Sequence, residues 1–495
     1  MSQATLPIAT KVVKSKSILT FFKGTPRTVQ KDLLLSIERQ WQDADVFVIE
    51  APTASGKTKL MSCVARWAAH NKEKSHIAVP NNVLLAQMEQ SEKLFTLKSK
   101  DSYTCTALSK SNVQESCKVR HARMAEHCAG CPYIAAVRRS HASPFTLSNY
   151  HTMMAHKLQK AVVLIDEAHL LLPLIVELES KHVWLPIGGD SRSLLPHSIN
   201  TYGKLRDYLE KHEELTGKVW DTLREELQDG RERYLVKRGE RDYHSHSKDA
   251  LTLVPVDTSH SDKAQMLFPL KKVKKLLLLS GTINAIDVEQ MGLGGRRVLT
   301  LSCPSPIEPK RRPIVRSYLS SSVTFKKCEE PLFIQEMADR LLSLIEENAG
   351  QKVMIHAPYG LAAKLGAKLK GPLGERLLIH GKYDKQKQLQ EFLSEGTQVL
   401  LGSGMEEGVD FAGDDFKIQI ICKVPFQSLA EPGWKYVAQE NPDRYMWEAL
   451  KKVVQATGRI CRGPDDYGKT YILDSSLERC LQSSLVPNYF REAIE

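Results

Sequence analysis

The sequence predicts an α/β protein built from two parallel-sheet domains, with two insertions in the first. Three observations carry that prediction. Short apolar runs end in polar loops and pass into helix-favouring segments; the pattern restarts after the basic, proline-rich connector Pro304–Pro313; and two polar stretches interrupt the first set of runs. At 495 residues the chain is too long for one ordinary domain, and 42% apolar with 26% charged residues is a globular balance with ample core-forming material.

The first apolar run, Val46–Ile49, reads as a buried strand. It feeds Ala51-Pro52-Thr53-Ala54-Ser55-Gly56-Lys57-Thr58 and then an Ala-rich helix through Ala69. A second strand at Ile77–Val79 ends in Pro80-Asn81-Asn82, before a helix from Val83. A third, Ala161–Ile165, runs into Asp166-Glu167-Ala168-His169, and a fourth, Leu276–Leu279, into Ser280-Gly281-Thr282. Polar loops at the C-terminal ends of parallel strands place the site at that edge of the sheet. Beyond the connector, strands are predicted at Val353–His356, Val399–Leu401, Ile418–Cys422 and Thr470–Leu473.

The first interruption is polar and carries four cysteines. The second is charged, with Leu and Trp at helical spacing, which predicts a small helical insertion. The expected division is therefore 1–90, 146–180 and 251–300 for the first domain, 91–145 for the cysteine-bearing unit, 181–250 for the helical insertion, and 301–495 for the second domain.

Sixty-nine lysines and arginines against 58 aspartates and glutamates leave a net charge of +11, an excess that favours a polyanionic partner. No stretch approaches the roughly 20 apolar residues needed to span a bilayer. The first residues, MSQATLPIATKVVKSKS, lack the apolar run and cleavage site of a secretory signal, so a cytoplasmic protein is expected. In that compartment ten cysteines do not suggest a disulfide framework.

Gly56-Lys57-Thr58 is the ending of a P-loop. Backbone N–H groups and the helix N-terminus cradle phosphates there, the lysine reaches the β- and γ-phosphates, and the threonine hydroxyl holds Mg²⁺. Ala51 stands where the pattern's first glycine is usual. Asp166, at a strand end, suits a second Mg²⁺ anchor, and Glu167 can orient and deprotonate water. In Gln455-Ala456-Thr457-Gly458-Arg459-Ile460-Cys461-Arg462, two arginines three residues apart are expected on one helical face, where guanidinium groups could meet a γ-phosphate across a cleft.

Together these residues resemble a superfamily 2 helicase. The P-loop and Asp166–His169 resemble motifs I and II, Ser280–Thr282 motif III, and Gln455–Arg462 motif VI. Gly404-Met405-Glu406-Glu407-Gly408-Val409-Asp410-Phe411 and the following Ile421–Phe426 resemble the motif V region of the XPD/DinG iron–sulfur branch. The resemblance implies two RecA-like domains with an iron–sulfur domain and an arch-like insertion. It implies nucleotide contacts at Thr53, Ala54, Ser55, Gly56, Lys57, Thr58, Asp166 and Gln30, and catalytic roles for Glu167, Arg459, Arg462 and Gln455. Mg²⁺ would be held at Thr58 and Asp166. Motif Ia departs from the family, with Pro80-Asn81-Asn82 where a threonine is usual, and the chain is compact, with a short arch and no exonuclease domain expected before the P-loop.

Cys105, Cys117, Cys128 and Cys131 fall between motifs Ia and II, the last pair as Cys-Ala-Gly-Cys before Pro132-Tyr133. Four thiolates suit tetrahedral Zn²⁺ or an iron–sulfur cluster, and C-x-x-C pairs more often hold zinc. The resemblance implies a 4Fe-4S cluster. Cys63, Cys303, Cys328, Cys422, Cys461 and Cys480 are read as core or bystander thiols.

The expected activity is ATP-driven movement on single-stranded or forked DNA by a monomeric motor, 5′ to 3′ by resemblance. RNA or an RNA–DNA hybrid is the alternative strand. A nucleic-acid-stimulated ATPase that remodels complexes and an ATP-gated clamp are the rival readings; the clamp does not need Glu167, Arg459 and Arg462 together.

Overall fold

The computed structural model describes residues 16–105, 130–185, 195–196, 198–227, 234–243, 246–381, 384–394, 396–404, 416–461 and 463–495. Cys117, Cys128, Arg462 and the motif V residues Met405–Phe411 lie outside these.

The first domain holds six parallel strands, β1 (Val46–Glu50), β2 (Ser75–Val79), β3 (Phe145–Asn149), β4 (Val162–Ile165), β8 (Lys275–Ser280) and β9 (Val298–Ser302). Between β4 and β8, the strands β5 (Lys181–Trp184), β6 (Tyr234–Tyr243) and β7 (His246–Pro255) form a separate antiparallel sheet. The six-stranded order is β3-β2-β4-β8-β1-β9. Successive side chains of a strand point to opposite faces, so each central strand feeds two cores. Phe47 and Ile49 join one buried cluster with Ile77, Leu164 and Leu277. Val46 and Val48 join the other with Ala78, Val163 and Leu276. A strand buried on both faces must be apolar throughout, which is why these runs are continuous.

Helix α1 (Thr28–Arg39) precedes β1, α2 (Lys57–His70) follows the P-loop, and α3 (Asn82–Glu92) follows β2. Asn81 caps α3 by accepting from the Leu84 N–H, and Asn82 accepts from Asn149 at the end of β3. The motif Ia asparagines are thus engaged within the domain.

The second domain repeats the plan with β10 (Ile314–Arg316), β11 (Val353–His356), β12 (Leu377–Ile379), β13 (Val399–Gly402), β14 (Ile418–Ile421) and β15 (Lys469–Ile472), parallel, in the order β10-β15-β14-β11-β13-β12. The six cysteines read as core or bystander thiols are all buried.

Two expectations need correcting. The insertion between β4 and β8 is not helical alone: helices Tyr202–Lys211 and Lys218–Leu227 pack through Tyr202, Leu205, Trp220 and Leu223 on the β5-β7-β6 sheet. The charge in the β6–β7 hairpin masked its alternation. Nor is Arg459 on a helical face, because the helix Pro442–Thr457 ends at a Gly458 cap; Arg462, the other half of that expectation, lies outside the described residues.

Candidate active site

Three adjacent strands, β4, β8 and β1, end side by side. Their C-terminal ends carry Asp166, Ser280 and the P-loop, and the Ala51 N–H donates to the Ser280 carbonyl (2.8 Å). Ladder geometry therefore places motifs I, II and III in one row.

The P-loop turns through two left-handed residues, Ala54 (φ 64°) and Gly56 (φ 81°). Gln30, buried on α1, accepts from the Arg27 N–H (3.0 Å) and donates Nε2 to the Ser55 carbonyl (2.9 Å). Arg27 donates Nη2 to the Ala54 carbonyl (2.6 Å). Arg27 was missed as a site residue; its signal was its place three residues before Gln30. Arg27, Gln30, Gly56, Thr58 and Asp166 line a 540 Å³ cavity together with Leu84, Gln87 and Met88 of α3.

Lys57 donates Nζ to the Ala51 carbonyl (3.3 Å) and lies 3.3 Å from Glu167 Oε1. Burial works to lower its pKa, but the Glu167 and Asp166 carboxylates outweigh it and hold the ammonium above its ordinary range. Burial, with the adjacent Glu167 charge, pushes Asp166 up to about 7. Burial would raise Glu167 too, yet the Lys57 ammonium beside it, with Arg459 contributing, holds it below the usual carboxylate value. Like charges side by side separate in this way, leaving Glu167 the ionised member.

Glu167 itself sits at φ 47°, ψ 48°, a conformation that costs a non-glycine residue on the order of 1–3 kcal/mol and persists only where the surroundings impose it. Tyr150, from the short helix Tyr150–Ala155, supplies part of that constraint by donating to the carbonyls of Asp166 and Glu167. Sequence reading missed Tyr150, because it follows the unrecognised edge strand β3. His169 Nδ1 lies 2.7 Å from Ser280 Oγ, joining motif II to motif III. Burial takes His169 down to about 4, so at neutral pH its 3.5 Å approach to Glu167 Oε2 involves an uncharged imidazole.

The second domain faces this row. Gln455 Nε2 donates to Thr282 Oγ1 (3.3 Å), and Tyr489 donates its hydroxyl to the Gly281 carbonyl (2.6 Å). Ala54 packs against the second domain's Ile307–Met354–Ile460 cluster, and Gly458 stands beside Thr53. Arg459 directly follows Gly458, its N–H donating to the Ala456 carbonyl (3.1 Å), and its charge helps to lower both Glu167 and His169.

Two family models match the chain. One is described as a helicase C-terminal domain, over residues 341–493, and the other as the res subunit of type III restriction enzymes, over residues 23–173. The ATP-dependent DNA helicase YoaA of Escherichia coli is 27% identical over 194 residues, 37% of this chain and 30% of that protein. The ATP-dependent DNA helicase DinG of Photobacterium profundum is 26% identical over 249 residues, 44% and 34% of the respective lengths. These matches make the chain similar to helicases of the XPD/DinG type of superfamily 2. The matched segment spans about a third of the length of either relative. The structure of S. tokodaii Xpd4 superposes over 95% of this chain and 99% of its own with a TM-score of 0.55 at 14% identity, a likeness of fold.

Likeness to this helicase type implies MgATP, and the residues fit it. Ser55 Oγ and Gln455 Oε1 are buried without a protein partner, and Thr58 and Asp166 border the open cavity. An iron–sulfur cluster is also implied. Cys105 and Cys131 both pack against the same first-domain core cluster, and the other two cysteines fall outside the described residues. No helix among the described residues is long and apolar enough to cross a membrane.

Proposed function

We propose that this chain is an ATP-dependent DNA helicase that moves 5′ to 3′ along single-stranded DNA and opens the duplex ahead of it. The observation that carries the reading is the grouping of Lys57, Asp166 and Glu167 at adjacent strand ends, met from the second domain by Gln455 and by Gly458, which Arg459 follows. When bound, MgATP supplies the phosphoanhydride and the metal's positive charge. Lys57 and the N–H groups opening α2 bind phosphate, while Thr58 and Asp166 hold the metal. Glu167, kept ionised, orients water and takes its proton. Arg459, with Arg462, offers positive charge to the γ-phosphate from the second domain, so hydrolysis releases a contact that holds the cleft closed. Gln30 completes the nucleotide's surroundings.

The net charge of +11 suits a phosphate backbone track, bound without sequence preference and weakened steeply by salt. The matched relatives named as DNA helicases favour DNA over RNA. Cys105, Cys117, Cys128 and Cys131 would hold a 4Fe-4S cluster that shapes the strand-splitting insertion.

Duplexes with a 5′ or a 3′ single-stranded tail test the proposal. Unwinding of the 5′-tailed duplex is expected; vigorous ATP hydrolysis without unwinding of either refutes the helicase reading. The same preparation should be brown, with broad absorbance near ~400 nm. Colourless, zinc-containing protein would remove the cluster from the account.

A further inference from the structure

One side of the helix Pro442–Thr457 runs along the first domain. Arg444, Trp447, Lys451 and Gln455 recur at intervals of three or four residues, the spacing that aligns side chains along one helix face. Each meets the first domain. Arg444 donates to the Val256 carbonyl, Trp447 Nε1 to Asp287 Oδ2 (3.0 Å), Lys451 Nζ to Asp287 Oδ1 (2.7 Å), and Gln455 to Thr282. Just past the helix, a Cβ on Gly458 would lie 3.2 Å from Thr53 Oγ1, and Arg459 follows.

The middle of this seam is a buried charge pair. Asp287 is 1% exposed and Lys451 8%. Asp287 stands in the short helix that follows motif III, and its Oδ2 also accepts from the Asn284 N–H (3.1 Å). Both carboxylate oxygens are therefore engaged, and Lys451 gains a second acceptor in Glu448 (3.1 Å). Desolvation offsets most of what such a pair contributes to stability, so stability is a weak account of it. What it does supply is register. An apolar seam tolerates sliding, whereas two donors on adjacent turns gripping the two oxygens of one carboxylate do not.

Register matters because of what the helix carries. A slip of one residue would move the loop bearing Arg459 by about 1.5 Å along the axis. Displacements of about 1 Å at a reacting centre cost on the order of 10²-fold in rate.

We propose that Lys451, gripped by Asp287, is a positioning residue for ATP hydrolysis: it sets the helix Pro442–Thr457 on motif III and thereby holds Arg459 opposite Glu167. The proposal rests on the hydrolysis site described above. The side-chain hydrogen bonds of Lys451 and Asp287 run to each other, Glu448, Trp447 and Asn284 rather than to the P-loop or motif II, so both act through the arginine-bearing loop.

The test compares ATP hydrolysis by the full chain and its Lys451→Met, Lys451→Arg, Arg459→Ala and Lys451→Met/Arg459→Ala variants. The binding stoichiometry of a fluorescent ATP analogue is measured on each. Lys451→Met should lose on the order of 10²-fold in kcat, with KM for ATP and analogue stoichiometry within about twofold of the parent. Lys451→Arg should retain most of the rate. The double variant should be no slower than Arg459→Ala alone, because a residue that acts through the arginine has nothing left to position. Losses that multiply in the double variant overturn the proposal, as does a fall of kcat and binding stoichiometry in step, the mark of a misfolded fraction. Unchanged hydrolysis by Lys451→Met, with an active parent, overturns the positioning role alone; a parent chain that hydrolyses no ATP overturns the hydrolysis site and this role with it.

Discussion

Gly56→Ala should uncouple the P-loop from α1, and the structure gives its cost. Gly56 has a φ of +81°, and a Cβ there would lie 2.3 Å from Gln30 Nε2 and 3.2 Å from Arg27 Nη2. Alanine in the left-handed region costs about 1–2 kcal/mol. Gln30 must also retreat, and its bond to the Ser55 carbonyl breaks in a buried place, which costs roughly 1–3 kcal/mol. The sum is roughly 2–5 kcal/mol, or a fall of about 5–15 °C in the melting temperature of the first domain. Nucleotide affinity should drop with it, since the same loop cradles phosphate.

The Gln30→Ala variant separates the two contributions. Alone it loses the Ser55 bond but keeps the glycine. In the double variant Gly56→Ala/Gln30→Ala that bond can be lost only once. The double should therefore be more stable than the sum of the singles predicts, by about the 1–3 kcal/mol of the shared bond. Urea denaturation of all four proteins measures this. An additive double, or a Gly56→Ala melting curve superimposable on the parent's, would refute the reasoning.

Glu167→Gln should bind ATP and lose about 10²- to 10⁴-fold in hydrolysis, the ordinary worth of a general base; steady-state ATPase with equilibrium nucleotide binding checks it, and retained turnover would assign proton removal elsewhere. Lys160 gives a pH test far from the cleft. It is buried at the end of the loop before β4, donating to the Ser143 carbonyl and Thr146 Oγ1, and burial takes its pKa from 10.5 to about 7. Between those values the unfolded chain binds a proton the folded one does not, so stability rises with pH through the window. The penalty is largest below about pH 7 and gone above about 10.5. From pH 7 to pH 9 the parent should gain roughly 2 kcal/mol relative to Lys160→Met, read from urea denaturation of both at each pH; parallel responses would show that the lysine stays charged in the fold.

What the sequence disclosed follows from which residues are buried on two faces. β1, β2, β4 and β8 lie within the first sheet, and each appears as a continuous apolar run. The strands missed in the two parallel sheets are edges: β9 alternates exposed and half-buried positions, β3 carries Thr146, Ser148 and Asn149, and β10 and β12 are three residues each. Motifs I, II and III were legible because each abuts a strand end. The helix assigned to Arg459 was misread at Thr457-Gly458, where the glycine was a stop signal. Tyr150 with Glu167, His169 with Ser280, and Lys451 with Asp287 left no local pattern, since each pair is joined only by the fold.

Those fold-made contacts converge on one segment. Ser280 receives the Ala51 N–H on its carbonyl and faces His169 with its hydroxyl, so it touches motifs I and II together. Gly281, Thr282 and Asp287 take Tyr489, Gln455 and Lys451 from the second domain. Both domains flank position 281 at contact distance: a Cβ there would lie 3.5 Å from the Tyr489 hydroxyl and 3.6 Å from the Ala51 carbonyl. A displacement of the second domain therefore bears on residues 281–287, as it does on Thr53, Ala54 and Val256, and residues 281–287 stand at the end of the strand lying between those of Lys57 and Asp166. The parallel order β4-β8-β1 puts this contact between the two domains in the same row as Lys57 and Asp166. A sheet with motif III on an outer strand would hold the same residues without that link.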